Sequence, residues 1–320
     1  MSGSKIKVLA VTGPTASGKT SLAIRLAETL GGEIVSLDSM QVYRGMDIGT
    51  AKATREEQAR IPHHMIDILE PTESFSAADY AVRAEACIEE IAGRGRLPIL
   101  CGGTGLYLEA LRTARHGAPM QADENFRREM EALAEREGNG VLHARLSEID
   151  PESALAIHPN NRTRVIRALE IYHLTGKPKS TVDREASAEN PRLSILNISL
   201  RFASRALLYE RIDRRVDEMM REGLLEETRG LLEQGLLLPD TTAYGAIGYK
   251  ECLGALRGEC TVGEAADILK NATHHYAKRQ ETWFSAKPHI PLYADSDGAM
   301  RPSDEVLAEA LALAKEFLKA

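Results

Sequence analysis

Eight residues near the start of the chain, Gly13-Pro14-Thr15-Ala16-Ser17-Gly18-Lys19-Thr20, follow the pattern G-x-x-x-x-G-K-[ST]. The spacing has a physical purpose. Glycines let the backbone curl until several N–H groups face one anion, the helix that follows adds partial positive charge, and Lys19 adds a full one. In such a loop the last hydroxyl, that of Thr20, ordinarily holds Mg²⁺. All eight residues are therefore candidate phosphate ligands. The pattern does not say which bond breaks, because kinases, hydrolases and other transferases share the cradle.

Asp38 is the next candidate. It ends the short apolar run that begins at Glu33, and open α/β sheets bind ligands outside the carboxyl ends of their strands. It should face the P-loop, as a Mg²⁺ ligand or as a base, with a turn-capping aspartate as the plain alternative. A small-metabolite kinase would use Lys19, Thr20 and Asp38 equally well. His63 and His64 lack metal-ligand companions nearby in sequence and read as structural or positioning residues. Trp283 reads as packing.

These residues need elements to hold them. Lys5 to Val11 has the composition of a strand, and Lys19 to Leu30 that of a helix with Leu22, Leu26 and Leu30 on one stripe and Gly31 as its stop. Short apolar strands follow at Glu33 to Leu37, Leu97 to Cys101, Leu193 to Leu200 and Ile290 to Tyr293. A helix opens on the capping pattern Ser76-x-x-Asp79. Alternation of this kind predicts an α/β fold, a P-loop NTPase-like parallel sheet flanked by helices. Roughly ninety residues before Leu193 carry no strand pattern but helical segments at Asn125 to Arg136 and Arg162 to Leu174. The expected organisation is a core from residues 1–114 and 192–320, its C-terminal part mostly helical, with a helical insertion at 115–191.

The composition, 43% hydrophobic and 27% charged, is that of a folded chain. No apolar run approaches the roughly 18 residues of a membrane span, and the apolar stretch before the P-loop is too short for a signal peptide, so a cytoplasmic protein without membrane contact is expected. Four cysteines, with no C-x-x-C pair, indicate neither zinc nor a disulfide framework. The net charge of −7 argues against a nonspecific nucleic-acid coat. Yet Asn161 to Arg215 holds twelve Lys/Arg against six Asp/Glu, a cationic middle suited to a local patch.

Longer blocks narrow the choice. The run from Asp38-Ser39-Met40-Gln41 to Gly49-Thr50-Ala51-Lys52 resembles the signature of the tRNA dimethylallyltransferases, also called tRNA isopentenyltransferases. Further similar blocks follow in order: Pro62-His63-His64-Met65-Ile66-Asp67, Phe75 to Tyr80, Pro98 to Leu108, Ile157 to Asn160 leading to Arg164 and Arg167 to Glu170, Ile247 to Glu251, and Ala277 to Trp283. The resemblance spans about residues 6 to 285. One departure is Asn160-Asn161-Arg162, where Asn-Asp is expected, and no C-terminal zinc finger is present, as in the bacterial form.

The resemblance implies transfer of a dimethylallyl group from dimethylallyl diphosphate to the exocyclic amine of the adenine 3′ to the anticodon in tRNA. The P-loop, with Mg²⁺ on Thr20, would grip the departing diphosphate. Asp38 would take the amine proton, and Thr104 would help position the reacting groups, a helix N-cap being the alternative. RNA contact is implied for Ser39, Met40, Gln41, Arg127, Thr163, Arg164, Val165, Ile166, Arg167, Lys278, Arg279 and Gln280, with the insertion as the tRNA-binding domain gripping the anticodon stem-loop. Lys250 and Arg201 carry charge that suits a diphosphate, without geometry to place them. A monomer is expected.

Overall fold

A computed structural model describes residues 5–113, 123–186 and 188–320. The chain forms two compact units, Met1–Arg112 with Pro191–Ala320, and Thr113–Asn190. The boundary expected at residue 115 lies outside the described residues.

The first unit begins with β1 (Ile6–Thr12), α1 (Lys19–Leu30), β2 (Gly32–Ser36), α2 (Arg55–Arg60), β3 (His63–His64), α3 (Ala77–Gly93), β4 (Leu97–Gly102) and α4 (Gly105–Arg112). The second contains α5 (Glu124–Glu137), α6 (Asn139–Ile149), α7 (Pro151–Ala156), α8 (Arg162–Thr175) and α9 (Lys179–Glu185). The first unit resumes with β5 (Leu193–Arg201), α10 (Arg205–Glu222), α11 (Leu224–Glu233), α12 (Tyr249–Leu256), α13 (Val262–Ser285) and β6 (Ile290–Tyr293). A small hairpin, β7 (Asp295–Ser296) and β8 (Ala299–Met300), leads to α14 (Ser303–Lys319).

Six strands form one sheet in the order β3-β2-β4-β1-β5-β6, and every neighbouring pair is parallel. Parallel strands need helical crossovers, which cover both faces, and β1 shows the result. Leu9 and Val11 enter the core beneath α1, α10 and α14, while Val8 and Ala10 enter the one beneath α3 and α4. Alternation of side chains along a strand thus buries both sets. The five strands expected from apolar runs all lie in this sheet. β3 is the unexpected one, because two histidines make too short a stretch to show a pattern.

The second unit closes its own core with Leu133, Leu142, Leu146, Val165 and Leu169. Besides α5 and α8, the segments singled out in the sequence, it holds α6, α7 and α9. Of these, α7 and α9 are short, and Pro151 sits at the start of α7, a position where its missing N–H costs nothing.

Parallel strands also put their carboxyl ends along one edge. Thr12 is in register with both Gly102 and Ser199, and Ser36 with Cys101. Beyond the last pairs the chains of β2 and β4 stay zipped: the Leu37 amide donates to Cys101 O at 2.8 Å and the Thr104 amide to Leu37 O at 3.0 Å. This close approach requires Gly102, since a Cβ there would lie 2.2 Å from the Leu37 carbonyl oxygen. Gly102→Ala should therefore lower the unfolding free energy by about 1–3 kcal/mol, measured by urea denaturation. A variant as stable as the parent would show that the zipped segment yields.

Candidate active site

The P-loop leaves β1 and turns at once. Gly13 takes φ +145°, and a side chain there would meet the Leu200 carbonyl oxygen of β5 at 2.7 Å. Ala16 holds a left-handed φ of 61°, a conformation that costs an L-residue about 1–2 kcal/mol. It is clasped by Arg211 of α10, whose Nε donates to Ala16 O at 2.9 Å. Gly18, also left-handed, opens α1. On the other flank the Thr15 amide donates to Gln280 Oε1 at 2.9 Å, and inside the turn Lys19 Nζ donates to Pro14 O at 3.2 Å. The Ser17 hydroxyl is buried without a hydrogen-bond partner among the described residues.

The register brings Asp38 and Thr104 to this loop. Asp38 Oδ1 accepts from the amides of Met40 at 2.8 Å and Gln41 at 3.3 Å. This turn-capping geometry fixes the carboxylate and leaves Oδ2 without a hydrogen bond among the described residues. Thr104 Oγ1 accepts from the Ser39 amide at 3.1 Å, so the hydroxyl is tied to the residue beside Asp38. The phenol of Tyr276, from α13, lies next to Thr104 and feels the charge of Asp38.

Asp38, Tyr276 and part of the P-loop line a cavity of about 520 Å³. Its wall includes Thr15, Lys19, Thr20, Asp38, Arg215 and Tyr276, together with apolar Val216, Met219, Ile247 and Leu269. Cations crowd it. Burial pushes the Lys19 ammonium down to about 8, and neighbouring Arg215 adds to the shift while Asp38 opposes it. Burial likewise lowers Arg215, again against the pull of Asp38. Cys101, at the end of β4 and beside Thr20, is pushed up to about 11 by burial and stays a thiol.

Arg211, Arg215 and Tyr276 were missed by sequence reasoning. Arg211 and Arg215 stand one helical turn apart on α10, a spacing that puts both on one face. That signal was legible, but nothing in the sequence aimed the face at the P-loop. His63 is another addition. Its Nδ1 lies 2.8 Å from Ile61 O, and it lines the cavity with a buried Nε2 that has no partner among the described residues. Burial lowers its basicity, which favours the neutral ring. Lys250 also lines the cavity. Arg201 is spent on Glu281 O at 3.1 Å and Ser285 Oγ at 2.6 Å.

Several residues expected at an RNA surface are placed differently. Gln280 is buried, and its amide also donates to Gly103 O at 3.1 Å. Gln41 accepts from Ser36 Oγ at 2.9 Å and donates to the carbonyls of Thr50 and Ala51. Its amide is occupied internally, although the residue borders the cavity with Ser39 and Met40. In the second unit, Val165 and Ile166 correct the expectation outright: both are buried in the core of that unit, because α8 must turn an apolar face inward. Arg127 grips the fully buried Glu170 with two bonds of 2.9 and 3.1 Å, and Arg167 pairs with the same carboxylate. Thr163 and Arg164 are exposed, as are Lys278 and Arg279 in the first unit. The Arg279 guanidinium lies 5.6 Å from the Tyr276 ring centroid.

The profile of the IPP transferase family matches residues 41–287. A tRNA dimethylallyltransferase of Caldanaerobacter subterraneus subsp. tengcongensis is 47% identical over 91% of this chain and 93% of its own length. One from Halalkalibacterium halodurans is 49% identical over 92% of each. Among solved structures, the tRNA isopentenylpyrophosphate transferase of Bacillus halodurans superposes with a TM-score of 0.70 at 45% identity, covering 98% of this chain and 97% of that one. A eukaryotic dimethylallyltransferase acting on tRNA gives a TM-score of 0.81 at 30% identity, covering 98% of this chain and 80% of that one.

The lowered Lys19 value sets a pH dependence with a definite sign. An anion held by the loop is favoured by the charged ammonium, which is lost as pH rises through about 8. Inorganic pyrophosphate should bind more weakly above that pH, as isothermal titration calorimetry can measure, and Lys19→Arg should remove the decline because arginine keeps its charge. An equal decline in both proteins would assign it to another group.

Proposed function

Because the chain belongs to the IPP transferase family, we propose that it transfers a dimethylallyl group from dimethylallyl diphosphate to N6 of the adenine 3′ to the anticodon of tRNA, releasing diphosphate. The observation that carries this reading is the lining of the cavity. Lys19, Thr20 and Arg215 share it with Val216, Met219, Ile247 and Leu269, a mixture suited to a diphosphate head and a short branched hydrocarbon, and Asp38 is the carboxylate among them. The reaction is a tRNA modification in the cytoplasm, carried out by a monomer.

Displacement at the allylic carbon places negative charge on the leaving diphosphate. The P-loop amides, Lys19 and Arg215 stabilise that charge, in a setting whose partial burial strengthens each interaction. The adenine amine is a weak nucleophile because its lone pair is delocalised into the ring. Asp38 accepts its proton as the new bond forms, through a carboxylate held by the amides of Met40 and Gln41. Thr104 positions the reacting groups from beside Ser39.

Mg²⁺ fits these residues. Thr20 lines the cavity with Lys19 and Asp38 and would offer a hard hydroxyl oxygen, and Mg²⁺ takes few protein ligands when phosphate oxygens and water complete its shell. When bound it neutralises charge on the diphosphate. Arg164, with Thr163 and the organised pair Arg127 and Arg167, supplies phosphate contacts to the anticodon stem-loop from the second unit. Lys278 and Arg279 supply them from the first, while Ser39 and Met40, which border the cavity, contact the RNA there.

The direct test incubates the protein with Mg²⁺, labelled dimethylallyl diphosphate and unmodified tRNA. Label should enter RNA as diphosphate is released; label confined to the donor would sink the reading, and ATP-dependent phosphorylation of a small acceptor would establish a kinase instead. Asp38→Ala should slow single-turnover transfer by about 10²- to 10⁴-fold, and near-normal chemistry would remove it as the base. Arg164→Ala should reduce the slope of log affinity against log salt by about one if it meets a phosphate. An unchanged slope returns it to the solvated surface.

A further inference from the structure

One side chain joins α13 to the P-loop. Gln280 is 5% exposed, and both ends of its amide are used: Oε1 accepts from the Thr15 amide at 2.9 Å and Nε2 donates to Gly103 O at 3.1 Å. Room for it comes from Gly103, since a Cβ at that position would stand 2.0 Å from Nε2. Helix α13 is fixed again one turn on, where Trp283 lies so close to Gly105 that a Cβ there would meet its ring at 2.1 Å.

The Thr15 amide belongs to the same planar trans peptide as the Pro14 carbonyl, so the two groups point in opposite directions. Gln280 holds the N–H, and Lys19 Nζ donates to the carbonyl at 3.2 Å. Rotation of this peptide would move the anchor of the ammonium. The Ser17 amide donates to the same Pro14 carbonyl at 3.3 Å, so the peptide is held from inside the loop on its carbonyl side and by Gln280 on its N–H side.

Resting on the functional reading above, we propose that Gln280 is a positioning residue for the diphosphate cradle, acting through the Pro14–Thr15 peptide on Lys19, rather than an RNA contact. It sets where the cationic end of Lys19 stands before the leaving group arrives. The adjacent Lys278 and Arg279 are exposed, so helix α13 offers RNA one face while Gln280 holds the P-loop from the other.

The test measures inorganic pyrophosphate affinity in Mg²⁺ buffer and anticodon stem-loop affinity separately, for the full chain carrying Gln280→Leu, Lys19→Ala or both. Gln280→Leu should weaken pyrophosphate binding about tenfold, the scale of losing a hydrogen bond to a buried group, and leave stem-loop affinity within about twofold. In the Lys19→Ala background the same change should have little further effect, because the two residues act as one unit. Gly103→Ala, which displaces the amide without altering Gln280, should reproduce the loss and serves if the leucine variant does not fold. Stem-loop affinity falling with pyrophosphate binding intact, or an undiminished tenfold effect without Lys19, would overturn the proposal. Wild-type protein that binds pyrophosphate but transfers no prenyl group would sink the functional reading and leave this test standing.

Discussion

The site depends on a backbone turned so tightly that it cannot hold itself. Between β1 and α1 the chain must curl within a few residues, and it does so through a glycine pressed on the Leu200 carbonyl and an alanine in a left-handed conformation. A curl of this kind stores strain, and strained backbone persists only where its surroundings over-determine it. Here the surroundings are two side chains from distant helices, Arg211 on the Ala16 carbonyl and Gln280 on the Thr15 amide. The phosphate cradle is therefore a property of the packed unit as well as of its eight residues.

The same packing explains the electrostatics. Burial drives both Lys19 and Arg215 toward neutrality, Arg215 adds to the effect on Lys19, and the carboxylate of Asp38 opposes it for both. In the cavity the two cations face a single carboxylate, Asp38, an arrangement suited to a multivalent anion. Such preorganisation gives catalytic force to the interaction, since the donors need not reorient as charge develops on the leaving group. Asp38 and Thr104 reach the spot because parallel strands end along one edge and the segments after β2 and β4 remain bonded to each other.

The second unit uses its charges differently from a simple basic patch. Glu170, fully buried, pairs with Arg127 and Arg167, both half-buried, and so sets their geometry. A guanidinium held in this way has less conformational freedom left to lose. Val165 and Ile166, between Arg164 and Arg167 in sequence, serve the core instead, as the helical period dictates.

The sequence by itself determined the P-loop, the parallel sheet, the helical insertion and the family, because glycine spacing, strand-length apolar runs and long ordered blocks are local signals. It also placed Asp38 correctly at a strand end. It did not determine β3, whose two histidines make no pattern, or the inward turn of Gln280, whose neighbours Lys278 and Arg279 are exposed. Only the tertiary structure decided that α10 and α13 carry Arg211, Arg215, Tyr276 and Gln280 to the P-loop. The reason is physical: a helix face can be read from its own period, but what it packs against is set by contacts across some two hundred residues of chain, which no local spacing records.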